Sequence, residues 1–376
     1  MKTTTAKRPD KAFDTSYLRD LNIISYGKNN LFPQDIAAFI HASPTGDSCL
    51  DRFISFVGGK GFANEFSNKI INRRGATWNG VLSIVADDFS TFGGAAVNVK
   101  YNAAGEICEL LHVPFECCRL EETKDNGRVY HIVVAVDWEG KKTRDGQIQR
   151  PTKDTVEVYP IFNPDPVLVR SQIDRAGGID NYQGQIYYIT KSEIVAYPTP
   201  IYASALQYLG VDEGVGTVLY RNVKNNFMPA GAFVHKKGAV ADPNDDTDAN
   251  SSADALAEFT SDTEACLLLD IEIEHSEDMP EFVNMRGANY DKEFTSSHDI
   301  ATSTIYAKFH QEPWLCILNG KVGFGGTVIE DAYRVYNAET EKYRSVLERA
   351  FQRMYNNWEF SRLYGTQEIT IIKQSM

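Results

Sequence analysis

The run Thr327–Trp358 constrains this chain most, because it holds no proline or glycine and repeats its apolar residues at helical spacing. Val328, Ala332, Val335, Tyr336, Tyr343, Val346, Leu347, Ala350, Phe351, Met354 and Trp358 form one stripe. At 1.5 Å per residue such a helix reaches roughly 45 Å, longer than a small domain is wide, so it has to cross between layers or subunits. Thr327 is the expected N-cap, with Glu330 completing a capping box. Upstream, Tyr290, Phe294, Ile300, Ala301, Ile305 and Phe309 predict a second helix over 289–310. Pro313 is expected to end it, since the residue before a proline avoids the α region. Between the two helices, Asn319–Gly326 is too rich in glycine to be helical. Trp314, Leu315 and Phe324 either pack this break into the core as a kink or anchor its ends while the glycine tip stays free.

Charge is the second constraint. The net charge of the 376 residues is −13, but from Gly238 to Met285 there are fourteen acids and no Lys or Arg. The remainder is close to neutral, so one segment holds the whole imbalance. Such a segment is a solvated face, a docking surface or a wall that repels nucleic acid. The first eight residues are basic without the apolar stretch of a signal peptide, and residues 1–16 read as a disordered arm. No apolar run approaches the ~18 residues that span a bilayer.

Taken in order, Ser25–Pro33 is a turn-rich entry to a helix over 34–42. Cys49–Val57 is helical and stops at Gly58-Gly59-Lys60-Gly61. Trp78–Thr91 is a helix broken by Gly93-Gly94. Strands follow in hairpin order at 96–101, 107–114, 118–122 and 129–137, with turns at Asn102–Gly105 and Lys124–Gly127. Further strands are expected at 156–161 and 185–189, separated from the hairpins by a polar connection over 139–153. Helix resumes over 202–225. Then a strand at 232–236, a polar loop at 242–252, a helix at 253–263 and strands at 266–273 and 281–285 make a β-α-β-β insert between two helices. A last strand is expected at 368–372.

Catalytic chemistry is missing from these patterns. The glycine runs fit neither a P-loop nor a dinucleotide fingerprint, and no HExxH, GxSxG or SxxK site occurs. Asp242–Asp248 looks like half a calcium loop, but it lacks the loop glycine and has Ala253 where a bidentate Glu belongs. The six cysteines have no metal-like spacing and read as reduced, packed thiols of a cytoplasmic protein. Cys117-Cys118 has no neighbour that lowers a thiol pKa. The acidic balance excludes tight duplex binding, which needs basic stripes. No enzyme, cofactor or metal is expected.

Four patterns, in order, resemble the portal (head–tail connector) proteins of tailed bacteriophages. Tyr26-Gly27-Lys28-Asn29-Asn30-Leu31-Phe32-Pro33 is like the entry of portals from phages that infect Bacteroidetes. Asp88–Val97, with the turn at Gly105 and Leu110-Leu111-His112-Val113-Pro114, is similar to the helix, glycine turn and hairpin of a portal wing. Tyr220–Gly231 resembles the end of a stem helix entering a clip. Asn289–Phe294, continuing to Ile300-Ala301 and Glu312-Pro313-Trp314-Leu315, resembles a second stem helix running into a tunnel loop. The resemblance spans about residues 25–358.

It implies an α+β portal fold. The wing takes 17–201, the first stem helix 202–227, the clip 228–288, the second stem helix 289–310, the tunnel loop 311–326 and a long wing helix 327–358. Residues 359–376 are a short tail or vestigial crown. It implies a homo-oligomeric ring, a dodecamer in this family, at one vertex of the virion capsid, made in the host bacterial cytoplasm. Its partners are then the major capsid protein, the large terminase, a head–tail adaptor and double-stranded DNA passing through the channel, with no membrane. Lys308, His310, Gln311, Asn319, Lys321, Gly323, Gly325 and Gly326 become the channel candidates. Asp245, Asp246, Asp248, Glu258, Asp262 and Glu264 become docking candidates. The rival readings are another virion structural protein, such as an adaptor or minor head protein, and a metal-dependent hydrolase built on the carboxylates of Asp242–Glu281.

Overall fold

The computed structural model describes residues 15–122, 128–142, 148–192, 195–224, 231–236, 268–273, 281–284, 290–312, 315 and 326–375. Two compact units emerge, residues 1–209 with 304–376, and the stretch 210–303 inserted between them in sequence.

The first unit begins with a hairpin of β1 (Tyr17–Leu18) and β2 (Ile23–Ile24). Ser16 is already held to Ser25 there, so order starts before the expected end of the arm. Helix α1 (Phe32–Ala42) runs almost directly into α2 (Pro44–Gly58). Ser43 separates them, its Oγ accepting the N–H of Gly46 at 3.0 Å while Pro44 supplies the preset φ of a first turn. Helix α3 (Trp78–Phe92) is capped by Thr77 and ends on Gly93 in the left-handed region. A Cβ on Gly93 would meet the Thr199 carbonyl, and one on Gly94 would meet the Phe115 ring, so both glycines are demanded by close approach.

Strands β3 (Gly94–Tyr101) and β4 (Ile107–Val113) form the expected hairpin. Its turn is fixed by Asn102, whose Oδ1 accepts the N–H groups of Ala104 and Glu106. Strands β5 (Cys118–Leu120) and β6 (His131–Val134) also pair, but in a separate sheet. The turn expected at Lys124–Gly127 lies outside the described residues. The polar connection is not featureless, because β7 (Lys141–Lys142) pairs with β8 (Ile148–Gln149). Strand β9 (Glu157–Pro160) completes the β5-β6-β9 sheet. Helix α4 (Pro166–Arg175), not foreseen, buries only Val169 and Ile173 and so shows too weak a stripe to read. Strand β10 (Gln185–Thr190) then adds to the edge of β3, giving the order β10-β3-β4.

Helix α5 (Leu206–Lys224) carries the chain out of this unit and α6 (Tyr290–Phe309) carries it back. In the second unit, β11 (Gly231–Lys236) lies between β12 (Leu268–Ile273) and β13 (Glu281–Asn284), as three of the four expected elements. The β11–β12 pair is parallel and therefore needs a crossover connection. Residues 237–267 supply it, and the helix expected at 253–263 falls among them, outside the described residues. Within this unit His298 approaches the buried Asp212 at 3.5 Å.

Helix α7 (Gly326–Asn356) runs for 31 residues, which is ~46 Å. It begins at Gly326, so Thr327 sits in the first turn rather than at the cap. Tyr336, Val346, Leu347, Ala350, Phe351 and Met354 are buried as the stripe requires. Val335 is 59% exposed instead, since Tyr336 takes the inward position beside it. Phe66, Trp78, Tyr355 and Trp358 close one end of the core in edge-on and stacked ring contacts. Arg344, 2% exposed, donates to the Phe56 carbonyl at the end of α2, to Thr340 and to Asn337. A buried cation here satisfies the carbonyl end of a helix in place of a carboxylate.

After the short α8 (Ser361–Tyr364), the chain packs back on the first unit. Ile369 and Ile371 are buried, and Lys60, Ala63 and Ile372 exchange backbone hydrogen bonds between the α2 exit and the tail. Glu348 and Gln352 of α7 accept the N–H groups of Ile371 and Ile369. The expected strand is reduced to one bridge, Phe62 to Ile371.

Candidate DNA-channel segment

Helix α6 ends at Phe309, four residues before Pro313. Its last turn closes with the His310 N–H on the Ala307 carbonyl and the Gln311 N–H on the Tyr306 carbonyl, the paired bonds of a Schellman motif. His310 takes the left-handed position at φ +53°, where glycine is usual, so the stop is set by this turn rather than by the proline.

Gln311, expected in the channel, is only 6% exposed. Its Nε2 donates to the Cys49 carbonyl at 2.7 Å and to the Tyr336 hydroxyl at 2.6 Å, latching the end of α6 to both α2 and α7. It is therefore removed from the DNA-facing set, because its amide is spent inside the first unit. Leu315 is buried at 5%, which holds the first residues of the break in the same core. His310 is exposed and Lys308 half-buried, so both keep access to solvent at the helix end. Gly326 is the first residue of α7. Asn319, Lys321, Gly323, Gly325 and the possible anchors Trp314 and Phe324 lie outside the described residues. So do the docking candidates Asp245, Asp246, Asp248, Glu258, Asp262 and Glu264.

Two of the four sequence patterns turn out to be structural knots. Around Tyr26–Pro33 the chain folds over the fully buried Arg119 of β5. Its Nε donates to Asn30 Oδ1 at 2.8 Å, its Nη1 to the Glu116 and Cys118 carbonyls, and its Nη2 to the Asn30 carbonyl and Gln34 Oε1. All five guanidinium N–H directions thus meet neutral oxygens. The Trp138 ring lies 4.8 Å from the guanidinium carbon, and burial holds the Arg119 pKa below its usual value. Asn30 itself adopts φ +65°, and its Oδ1 also takes the Tyr26 N–H. Tyr26 stacks on Tyr197 at 4.0 Å and donates to the Pro198 carbonyl. In the second pattern, Asp88 Oδ2 meets His112 Nε2 at 2.7 Å and accepts the Phe115 N–H, tying the end of α3 to the end of β4.

Arg119, Arg344 and Gln311 were not readable as core residues, since nothing local marks a polar side chain whose partners lie far along the chain. The four described cysteines are free thiols, and burial first, then Glu116, pushes Cys117 up to about 11. Among the described residues no three His, Cys, Asp or Glu side chains could hold a metal ion. No helix among them is long and apolar enough to cross a membrane.

No protein-family model and no curated protein matches the chain. Among solved structures it is similar to a chain in the virion of a native gene transfer agent particle, at 13% identity and a TM-score of 0.49, covering 91% of this chain and 83% of that one. A chain from the neck of the native particle, computed with C12 symmetry, gives 13% identity and a TM-score of 0.48 over 91% and 84% of the two chains. An HK97 family phage portal protein from Corynebacterium diphtheriae gives 10% identity and a TM-score of 0.46 over 89% and 95%. At these values the likeness carries no functional conclusion by itself.

Proposed function

We propose that this chain is the portal subunit of a tailed bacteriophage. It is a ring-forming conduit at one capsid vertex through which DNA is packaged and ejected, and it has no catalytic step of its own. One observation carries the reading, which is the order of parts. A helix leads out, a three-stranded unit with a parallel first pair is inserted, a helix leads back, a latched break follows, and a 31-residue helix crosses the body. The third and fourth sequence patterns begin within α5 and just before α6, the two helices that flank the insert, which supports the reading.

In this reading the break faces DNA. Its start is fixed at Gln311 and Leu315, and the glycines at 320, 323, 325 and 326 permit backbone conformations that other residues resist. Lys321 is the one full positive charge from Gln311 to Gly326, and Lys308 and His310 precede the break. One weak phosphate contact per subunit is made and released as DNA slides, where a basic lining would hold it. The acidic insert, including Asp245, Asp246, Asp248, Glu258, Asp262 and Glu264, serves as the surface that docks the large terminase and later the head–tail adaptor. The wing meets the major capsid protein, and the ring is a dodecamer.

Electron micrographs of the purified protein, viewed down the particle axis, test the reading. A closed ring with a hole wide enough for a duplex is expected. A protein that stays a monomer of the sequence mass, 42.1 kDa, at all concentrations would overturn it.

A further inference from the structure

The unassigned surface with the most specific chemistry is a groove of about 220 Å³ in the first unit, between the outer edge of β10 and α7. Its floor is Val346 and Ala350, one wall carries Arg349 and Arg353, and Lys191 stands at the β10 end. No acid lies among its lining residues. Arg349 and Arg353 are exposed and enter no ion pair among the described residues, although the chain as a whole is strongly acidic.

β10 gives one edge to β3. On its other edge the Ile186 carbonyl accepts the Phe162 N–H at 2.9 Å. After Phe162 the chain leads into α4 at Pro166, and the Asn163 N–H goes to the Gln185 side chain rather than to the β10 backbone. Backbone groups of alternate residues in a strand face the same side, so Tyr188 and Thr190 present theirs to the groove. Such an edge is a template for an added strand.

We propose that this groove binds an extended acidic segment of another protein by strand addition to β10, with two carboxylates at alternate positions pairing Arg349 and Arg353. The spacing fits. One helical turn separates the arginines by ~6 Å along α7, and alternate residues of a strand repeat at ~6.7 Å. Phe162 and Tyr187, stacked at 4.5 Å, give an apolar surface beside Arg353, whose Nη1 donates to the Tyr187 hydroxyl. A nucleic-acid strand has phosphates at a comparable spacing but no N–H and C=O row to pair with the strand edge, so the peptide is favoured. The inference stands apart from the portal reading, because ring images test that reading and do not involve this groove.

The test is fluorescence anisotropy on the full-length protein at low salt, with a labelled Thr-Glu-Val-Glu-Val-Thr peptide. Saturable binding is expected, with Arg349→Gln and Arg353→Gln each weakening it roughly three- to fivefold. The Lys-Val-Lys counterpart should bind only the Arg349→Glu/Arg353→Glu double variant. N-methylation of the peptide at two edge-facing amides should abolish binding. Equal affinity for the two peptides in the parent protein, indifference to both arginine substitutions, or full retention by the methylated peptide would each overturn the proposal. So would an oligodeoxythymidine that binds with the same arginine dependence while the peptide does not bind. Both arginines are exposed, and unchanged melting temperatures confirm that the variants fold.

Discussion

Replacing Gln311 with leucine keeps the side-chain volume and removes the amide that donates to the Cys49 carbonyl and the Tyr336 hydroxyl. Each bond is worth about 1 kcal/mol net, and a buried hydroxyl left without its donor adds to the loss, so the cost is about 2–3 kcal/mol. For a unit of this size that lowers Tm by roughly 4–6 °C. Gln311→Glu sharpens the test. A buried carboxyl facing the Cys49 carbonyl is favoured in its protonated form, so its folded pKa lies above the unfolded value. The variant then matches the leucine protein below the unfolded carboxyl pKa of about 4.3 and loses further stability as pH rises toward the folded value. Scanning fluorimetry between about pH 4 and pH 8 reads both effects. A leucine variant melting within about 1 °C of the parent, with a glutamate variant whose Tm is flat over that pH range, would refute the latch and return Gln311 to the channel surface.

His310→Gly relieves a left-handed residue and should raise stability by about 0.5–1 kcal/mol, read from a urea midpoint; a fall in the midpoint would mean the side chain makes a contact worth more than its strain. Gly59→Ala places a Cβ against the Ile372 carbonyl at φ +57° and should cost more than ~2 kcal/mol, with faster hydrogen exchange at Lys60 and Ile372 as the mark of an undocked tail. Cys117, pushed up to about 11, should react with a thiol reagent at a rate rising tenfold per pH unit through pH 10, and a plateau near pH 9 would contradict its burial. Deleting 232–285 should preserve ring assembly and abolish terminase capture, measured by co-sedimentation; unchanged capture would sink the docking role of the insert.

What the sequence discloses here follows from how local the cause is. The stripe of α7, the start of α3 at Trp78 and the Asn102 turn are set by neighbours within a few residues, and helical or hairpin spacing exposes them, whereas α2 starts at Pro44, five residues before the spacing of Cys49–Val57 shows it. The end of α6 falls within one residue of the expected 310, but its cause was hidden, because a left-handed histidine carries no compositional mark, whereas Pro313 does. Arg119 and Gln311 were invisible as core residues because the partners of each lie far along the chain, at Asn30 and at Cys49. The same distance effect hid the meaning of Tyr26–Pro33, which reads as a loop and acts as the cradle of a buried cation. In the candidate channel segment, the anchors emerged only when α2, α6 and α7 were brought together.

The docking of the tail sets the order in which this protein can finish folding as it is made. The Phe56 carbonyl waits for Arg344, and the bridge at Phe62 waits for Ile371. At 5–20 residues per second, about 15–60 s pass between the synthesis of α2 and that of the tail that covers its exit. The stretch 210–303 is complete well before then. During that interval α2 and α3 carry apolar faces with no α7 to cover them, so the nascent chain depends on being shielded.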